Sequence, residues 1–195
     1  MDETYLWPTA GESSRSQALL QAELVELHRD RASVPRDVWL SLLSSARECI
    51  DVLVFSGTFM AQTNPQVAAM LRERAEAGVR VRLCFGDPQG EAVAIRGKDE
   101  GIGDALAAKI RASLTYYRGL PDVVDCEVRL HDTTLYNSIF RYDDNMMINP
   151  HIWGQPASAN PVLQLQRLDA TGWFDQYLGS FEAVWETASP WTGNV

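Results

Sequence analysis

The chain has 195 residues, of which 46% are hydrophobic, and it carries a formal net charge of −9. This length and composition predict one substantial domain with its own core, which excludes a largely disordered protein. The negative charge argues against a basic surface that grips nucleic acid or an anionic membrane. A local cationic pocket remains compatible with it.

Cysteine usage and hydropathy narrow the class of protein further. Cys49, Cys84 and Cys126 are widely spaced and odd in number, which predicts buried free thiols in a reducing cytoplasm. No apolar run approaches about 20 residues, so no membrane span is expected. The three histidines have no paired cysteine spacing, so neither a zinc site nor any cofactor is predicted.

The first residues have the composition of a tail and a linker. Residues 2–8, DETYLWP, are too few to form a domain and are not a signal peptide. Residues 9–17 are small and polar, which is typical of a linker. We therefore expect one domain over residues 18–195. Residues 22–29, AELVELHR, are compatible with an early strand or with the end of a helix.

Helical periods alternate with short apolar segments through the middle of the chain. Ser33 with Pro35, and Asn64 with Pro65, are typical helix starts, and Gly78 is a typical helix stop. A further helix is predicted from about residue 103 to residue 117. Strands are predicted at residues 51–57, 79–85 and 126–131. This alternation predicts an α/β fold with a layered sheet.

The last third of the chain predicts a hairpin, a strand and a helix. Asp143–Asn145 is an acidic turn between two strand-like segments, although Asp143 and Asp144 are also possible metal ligands. Residues 162–168 alternate as a strand does. An apolar stripe then predicts the clearest helix of the chain, formed by Phe174, Tyr177, Leu178, Phe181, Val184 and Trp185.

Residues 86–90, GDPQG, follow a predicted strand and form a candidate polar site. Ligands of open α/β sheets bind beyond the carboxyl ends of strands. The segment contains neither a Walker lysine nor a G-x-G-x-x-G pattern, so it indicates no nucleotide class. A plain tight turn and a ligand loop carrying Asp87 both remain open. Arg96 is either a clamp for phosphate or carboxylate or a solvated side chain.

Polar residues concentrate between residues 131 and 151. His131 ends a predicted strand and is a candidate base or phosphate contact, or simply a satisfied polar residue. His151 lies in the segment expected to close a pocket. The candidate ligand-binding residues are Asp87, Arg96, His131, Thr133, Tyr136, Asn137, Ser138, Arg141, Asn149 and His151.

From about Ser33 to Ala188 the chain resembles one half of a phospholipase D-like fold. That superfamily carries the motif H-x-K-x4-D, followed by a small polar turn. With Asp143 as the acid, Tyr136 takes the place of the histidine and Ser138 that of the lysine. More narrowly, RGKDEGIGDALAAKIR and RLHDTTLYNSIFRYDD are similar to segments in the C-terminal domain of actinobacterial XRE-type helix-turn-helix regulators. Residues 2–8 resemble the end of their DNA-binding domain.

The resemblance implies a mixed sheet flanked by helices, with one motif half per chain and therefore a homodimer. In active relatives the histidine attacks phosphorus and the lysine stabilises the oxygens. Tyr136 is a poor nucleophile and Ser138 is uncharged, which implies a domain without that chemistry. We expect a ligand-sensing and dimerisation domain of a transcriptional regulator, binding a phosphorylated or nucleotide-like molecule. DNA would be contacted only through a separate N-terminal domain.

Two other functions remain open from the sequence. One is a phosphodiesterase or nuclease that uses His131 or His151 in place of the lost pair. The other is a protein-interaction module whose sheet face is occupied by a partner.

Overall fold

A computed structural model describes residues 23–168 and 172–193 and contains one eight-stranded sheet. The strand order is β1-β7-β6-β5-β2-β3-β4-β8. Strands β2, β3 and β4 are parallel, and the other pairs are antiparallel. The strands β1 to β8 are Leu24–His28, Cys49–Val54, Arg80–Gly86, Cys126–His131, Asn137–Tyr142, Asn145–Pro150, Val162–Gln166 and Ser189–Pro190.

Helices cover both faces of this sheet. The helices α1 to α6 are Arg36–Ser45, Thr58–Thr63, Val67–Glu76, Glu91–Asp99, Ala105–Tyr117 and Trp173–Thr187, and short 3-10 turns lie at Arg31–Ser33 and Ala157–Ala159. None of the helices in the described ranges is long and apolar enough to cross a membrane.

The core consists of two apolar layers, one on each side of the sheet. On one side Trp39 of α1 and Phe59 of α2 meet Phe140 of β5 edge to face, and Tyr117 of α5 lies against Phe85. On the other side α6 buries Phe174, Phe181 and Trp185. The α/β layered fold with a mixed sheet is therefore confirmed.

Several local predictions agree with the structure, and two helices were not predicted. The ambiguous segment before residue 29 is the edge strand β1, and the C-terminal stripe is α6. The helices α2 and α4 carry little periodic signal. Helix α2 has six residues, and α4 contains Gly97, whose absent Cβ lets it approach the carbonyl of Gly103. Residues 1–17, expected to be a tail and a linker, lie outside the described residues.

The β5–β6 hairpin turns at Asp143, which adopts a left-handed backbone with φ 53°. Its carboxylate accepts the backbone N–H groups of Arg47, Glu48 and Cys49 at 2.8, 2.8 and 2.9 Å. Burial opposes ionisation of Asp143, but these three hydrogen bonds outweigh it and hold its pKa below the ordinary value. The acid at the motif's aspartate position therefore fixes the loop that leads into β2.

A buried ion network lies between the sheet and α6. Asp51 of β2 is fully buried and accepts from Arg82 at 2.7 Å and from Arg141 at 3.1 Å. Arg82 also donates twice to Glu182 of α6, at 2.8 and 2.7 Å, and its guanidinium lies over the ring of Phe181. Asp51 and both arginines of the sheet therefore each have a partner of opposite charge.

Candidate anion-binding site

A cavity of about 270 Å³ opens beyond the carboxyl end of β2. The antiparallel pairing brings the start of β5 and the end of β6 to the same edge of the sheet. Helices α2, α4 and α5 and both 3-10 turns close the cavity. Its lining includes Phe55, Phe59, Ser138 and His151. This is the edge at which ligands of open α/β sheets bind.

The charged side chains that line the cavity are mostly cationic. Arg31, Arg96 and Lys109 are opposed by the single carboxylate of Glu100, which leaves the cavity with a net charge of two positive. The chain as a whole has a net charge of −9. Three cationic side chains therefore line one cavity of a protein whose overall charge is negative.

Arg31 is positioned by a polar side chain and an aromatic ring. One of its terminal nitrogens donates to Oδ1 of the buried Asn149 at 3.4 Å, and its guanidinium lies 4.4 Å from the centre of the Phe59 ring. Asn149 is itself held by the carbonyls of Asn160 and Pro161. The buried Nε of Arg31 has no hydrogen-bond partner among the described residues. Burial lowers the pKa of Arg31 to about 10, so it stays charged at neutral pH.

Arg96 is fixed from two sides. Its Nε donates to Glu100 at 2.7 Å within α4, and a terminal nitrogen donates to the carbonyl of Gln155 at 3.0 Å. Both side chains of this ion pair are nearly buried, with exposures of 10% and 12%. Glu100 also raises the pKa of Arg31, since it lies near that guanidinium. The Glu100 carboxylate thus lies beside both arginines at one cavity.

Ser138 and His151 form a hydrogen-bonded pair at the cavity wall. The Ser138 Oγ lies 3.0 Å from His151 Nε2, and His151 Nδ1 lies 3.1 Å from the carbonyl oxygen of Leu135. The ring of Phe55 stacks on the imidazole, 6.1 Å between centres. Burial, then the charge of Arg96 and finally that of Arg31 lower the pKa of His151 to about 4. The imidazole is therefore neutral at physiological pH.

The structure brings Arg96, Ser138 and His151 of the predicted site together, and Asn149 pairs with Ser138 across the hairpin and accepts from Arg31. His131 is fully buried behind Phe55, outside the cavity lining. Its Nε2 faces the carbonyl of Val54 and its Nδ1 faces the N–H of Thr133, each at 3.3 Å.

The other predicted residues lie elsewhere. Asp87 forms a tight turn by accepting the N–H of Gln89 at 2.8 Å, so GDPQG has turn geometry. Tyr136 precedes β5 and is 80% exposed. Asn137 begins β5 outside the cavity lining, and Arg141 points to the opposite face of the sheet, where it meets Asp51. The motif strand therefore contributes Ser138 alone to the cavity.

The sequence did not single out five charged or aromatic wall residues: Arg31, Phe55, Phe59, Glu100 and Lys109. Glu100 and Lys109 lie in the segment RGKDEGIGDALAAKIR, whose resemblance assigns them no role, and the fold alone brings the five residues together. The described residues contain no group of three or more His, Cys, Asp or Glu side chains that could hold a metal ion.

Solved structures with a similar fold include phospholipase D family members. Nuc from Salmonella typhimurium is 12% identical with a TM-score of 0.53, covering 85% of this chain and 96% of Nuc. Phosphatidylserine synthase from Haemophilus influenzae Rd KW20 is 14% identical with a TM-score of 0.56, covering 85% and 39%. TrmBL2, described as an archaeal chromatin protein with a novel mode of DNA binding, is 15% identical with a TM-score of 0.51, covering 92% and 62%.

These similarities confirm the phospholipase D-like fold. The chain spans less than two thirds of the length of TrmBL2 and of the synthase. No curated protein matches the sequence significantly. The family described as "Domain of unknown function (DUF5919)" matches residues 21–192, and the chain belongs to that family.

Proposed function

We propose that the cavity binds a small phosphorylated ligand and that the domain acts, without catalysis, as the sensing and dimerising part of a transcriptional regulator. The observation that carries the proposal is the convergence of Arg31, Arg96 and Lys109 in a chain of strongly negative charge. Cationic side chains near one another repel, and an anion between them removes that repulsion. The one hydrogen bond that the Arg31 guanidinium makes within the described residues is 3.4 Å long, so terminal N–H groups of Arg31 remain for such an anion.

The size and walls of the cavity favour a compact ligand. About 270 Å³ lies just below the usual range for ligand pockets, which favours a monophosphate over a dinucleotide. Phe55 and Phe59 add apolar surface on which a sugar or a base could lie. The ligand class is therefore a small phosphate ester with an apolar or ring-shaped portion.

The regulatory part of the proposal is supported by the sequence resemblance to helix-turn-helix regulators. The acidic charge fits a domain that leaves DNA contact to another part of a regulator. A homodimer suits a regulator that reads a two-fold operator. Sedimentation of the purified protein tests the dimer, and a monomer across the micromolar range would contradict it.

Replacing either arginine should abolish most of the ligand affinity. Charge-assisted hydrogen bonds contribute about 1.5–3 kcal/mol each, so Arg31→Ala or Arg96→Ala should weaken binding about 10-fold to 100-fold. Calorimetry with inorganic phosphate and a panel of nucleoside and sugar monophosphates measures this. Lys98→Ala is the matched control, because Lys98 is exposed on the same helix as Arg96 and lies outside the cavity lining. Wild-type protein that binds none of these anions would contradict the proposal and favour a protein-interaction module.

One observation favours hydrolysis as a second candidate function. Ser138, His151 and the Leu135 carbonyl are arranged as nucleophile, base and orienting group. His151 Nε2 would take the Ser138 proton as Oγ bonds to phosphorus. The departing alkoxide would then take that proton from His151, and water would cleave the phosphoserine. His131 takes no part in this candidate, since both of its ring nitrogens are engaged.

Turnover of nitrophenyl phosphate and bis-nitrophenyl phosphate tests this second candidate. Activity that depends on the pair should fall by at least 100-fold in both Ser138→Ala and His151→Gln. His131→Gln is the matched control that should retain it if the protein remains folded. Activity that survives in both cavity variants would come from a contaminant and would rule the candidate out.

A further inference from the structure

We infer that Ser138 gives the cavity a hydrogen-bond acceptor that favours a tetrahedral anion bearing its own O–H group. The ligand class would then be hydrogen phosphate, or a phosphate monoester in its monoprotonated form, and not a sulfate or a phosphodiester. This inference rests on the proposed function, since it specifies which anion the cationic cavity takes.

The first step is the tautomer of His151. The carbonyl oxygen of Leu135 can only accept a hydrogen bond, and it lies 3.1 Å from Nδ1. Nδ1 therefore carries the hydrogen. In a neutral imidazole the other nitrogen, Nε2, then has a free lone pair and acts as an acceptor.

The second step is the charge of the imidazole. His151 is enclosed by the stacked ring of Phe55 and feels the charges of Arg96 and Arg31. Burial and these two cations disfavour a further positive charge and lower the pKa of His151 to about 4. Nε2 is thus unprotonated at neutral pH.

The third step fixes the direction of the Ser138 hydroxyl. A serine hydroxyl has one hydrogen, and Nε2 lies 3.0 Å away as the acceptor for it. No second hydrogen bond of this hydroxyl occurs among the described residues. Its lone pairs remain available at the cavity wall, where they accept a hydrogen bond but cannot donate one.

The fourth step concerns the other polar groups of the wall. Arg31, Arg96 and Lys109 are donors and satisfy the acceptor oxygens of any anion. The hydroxyls of Ser56, Thr58 and Ser158 and the amide of Gln62 can each donate or accept, so they do not discriminate between the two kinds of anion. One oxygen of Glu100 accepts from Arg96. Because an ionised carboxylate has no hydrogen to donate, it would also disfavour a ligand that carries only acceptors. An anion without a hydrogen would place its oxygen against the lone pairs of Ser138, leaving two acceptors facing each other.

Sulfate and hydrogen phosphate provide a matched pair for the test. At pH 7.5 both are mainly tetrahedral dianions, and they differ by the single hydrogen on phosphate. We expect wild-type protein to bind phosphate at least tenfold more tightly than sulfate by calorimetry, because a buried acceptor left unpaired is costly. Ser138→Ala removes the acceptor and should reduce this preference at least fivefold, mainly by improving the relative binding of sulfate.

Ser158→Ala is the matched control, since Ser158 also lines the cavity but makes no hydrogen bond with His151 within the described residues. It should leave the preference unchanged. Equal affinity of the wild type for the two anions, or a preference that survives intact in Ser138→Ala, would overturn the inference while leaving the anion site established. Failure to bind either anion would overturn the proposed function as well, so the two failures are distinguishable.

Discussion

Asp51→Ala should lower the free energy of unfolding by about 3–5 kcal/mol, because removing one partner of a buried ion network leaves charges without compensation. Asp51 is fully buried on the central strand β2. Its two oxygens accept from Arg82 and Arg141, and Arg80 lies 3.8 Å away. In the variant, Arg141 would lose its carboxylate partner at an exposure of only 11%.

Urea denaturation followed by tryptophan fluorescence measures this change. Glu182→Gln is the matched control, since Glu182 binds the same Arg82 but is 42% exposed. Solvent screening reduces the contribution of such a pair, so the control should cost about 1 kcal/mol or less. A loss below about 1 kcal/mol for Asp51→Ala would show that water reaches the two arginines and that the network is not sealed by α6.

Acidification should destabilise the protein between about pH 6.5 and pH 4 through His151 and, in the same direction, His131. The unfolded chain protonates His151 near pH 6.5, whereas the folded protein protonates it only at about pH 4. The unfolded state therefore binds more protons in this window, and the free energy of unfolding falls as the pH falls. The full shift corresponds to about 3 kcal/mol for His151. Burial lowers the pKa of His131 too, so it contributes in the same direction.

Comparing wild type with His151→Gln isolates this contribution, because the carboxylates that titrate in the same range are common to both proteins. The variant should be less stable at pH 7, and the difference should narrow as the pH falls to 4. The charged groups that lower the pKa of His151 are Arg96 and Arg31. Bound phosphate offsets these charges and should raise the pH at which His151 titrates in the folded protein. A stability difference that stays constant from pH 7 to pH 4 would contradict the expected titration.

The sequence predicted the layered fold well, because β2 and β3 are short and mostly apolar, β4 alternates between apolar and polar residues, and α6 has a clear apolar stripe. It predicted the site only in part. Ser138 and His151 lie 13 residues apart in one hairpin, so a local pattern could associate them. Arg31 and Lys109 come from separate elements whose meeting depends on strand order, which no local pattern encodes.

Alternation along β5 also explains why neighbouring residues of the motif strand have different roles. Ser138 and Phe140 point to the helices α1 and α2 and the cavity, whereas Arg141 points to α6. Tyr136 would share the face of Ser138 if the strand extended further, but β5 begins at Asn137 and leaves Tyr136 exposed. Whether Tyr136 faces the cavity or the solvent therefore depends on where β5 begins, and strand ends are the least predictable part of an element.

The attachment of Arg31 has a mechanical consequence. Arg31 follows the edge strand β1, and its backbone N–H donates to the carbonyl of Asn160 at 2.9 Å. An anion held by Arg31 and Arg96 together would bridge the rim of the sheet to helix α4. Occupancy of the cavity would then stiffen the outermost strand, and amide hydrogen exchange in β1 would slow when the ligand binds.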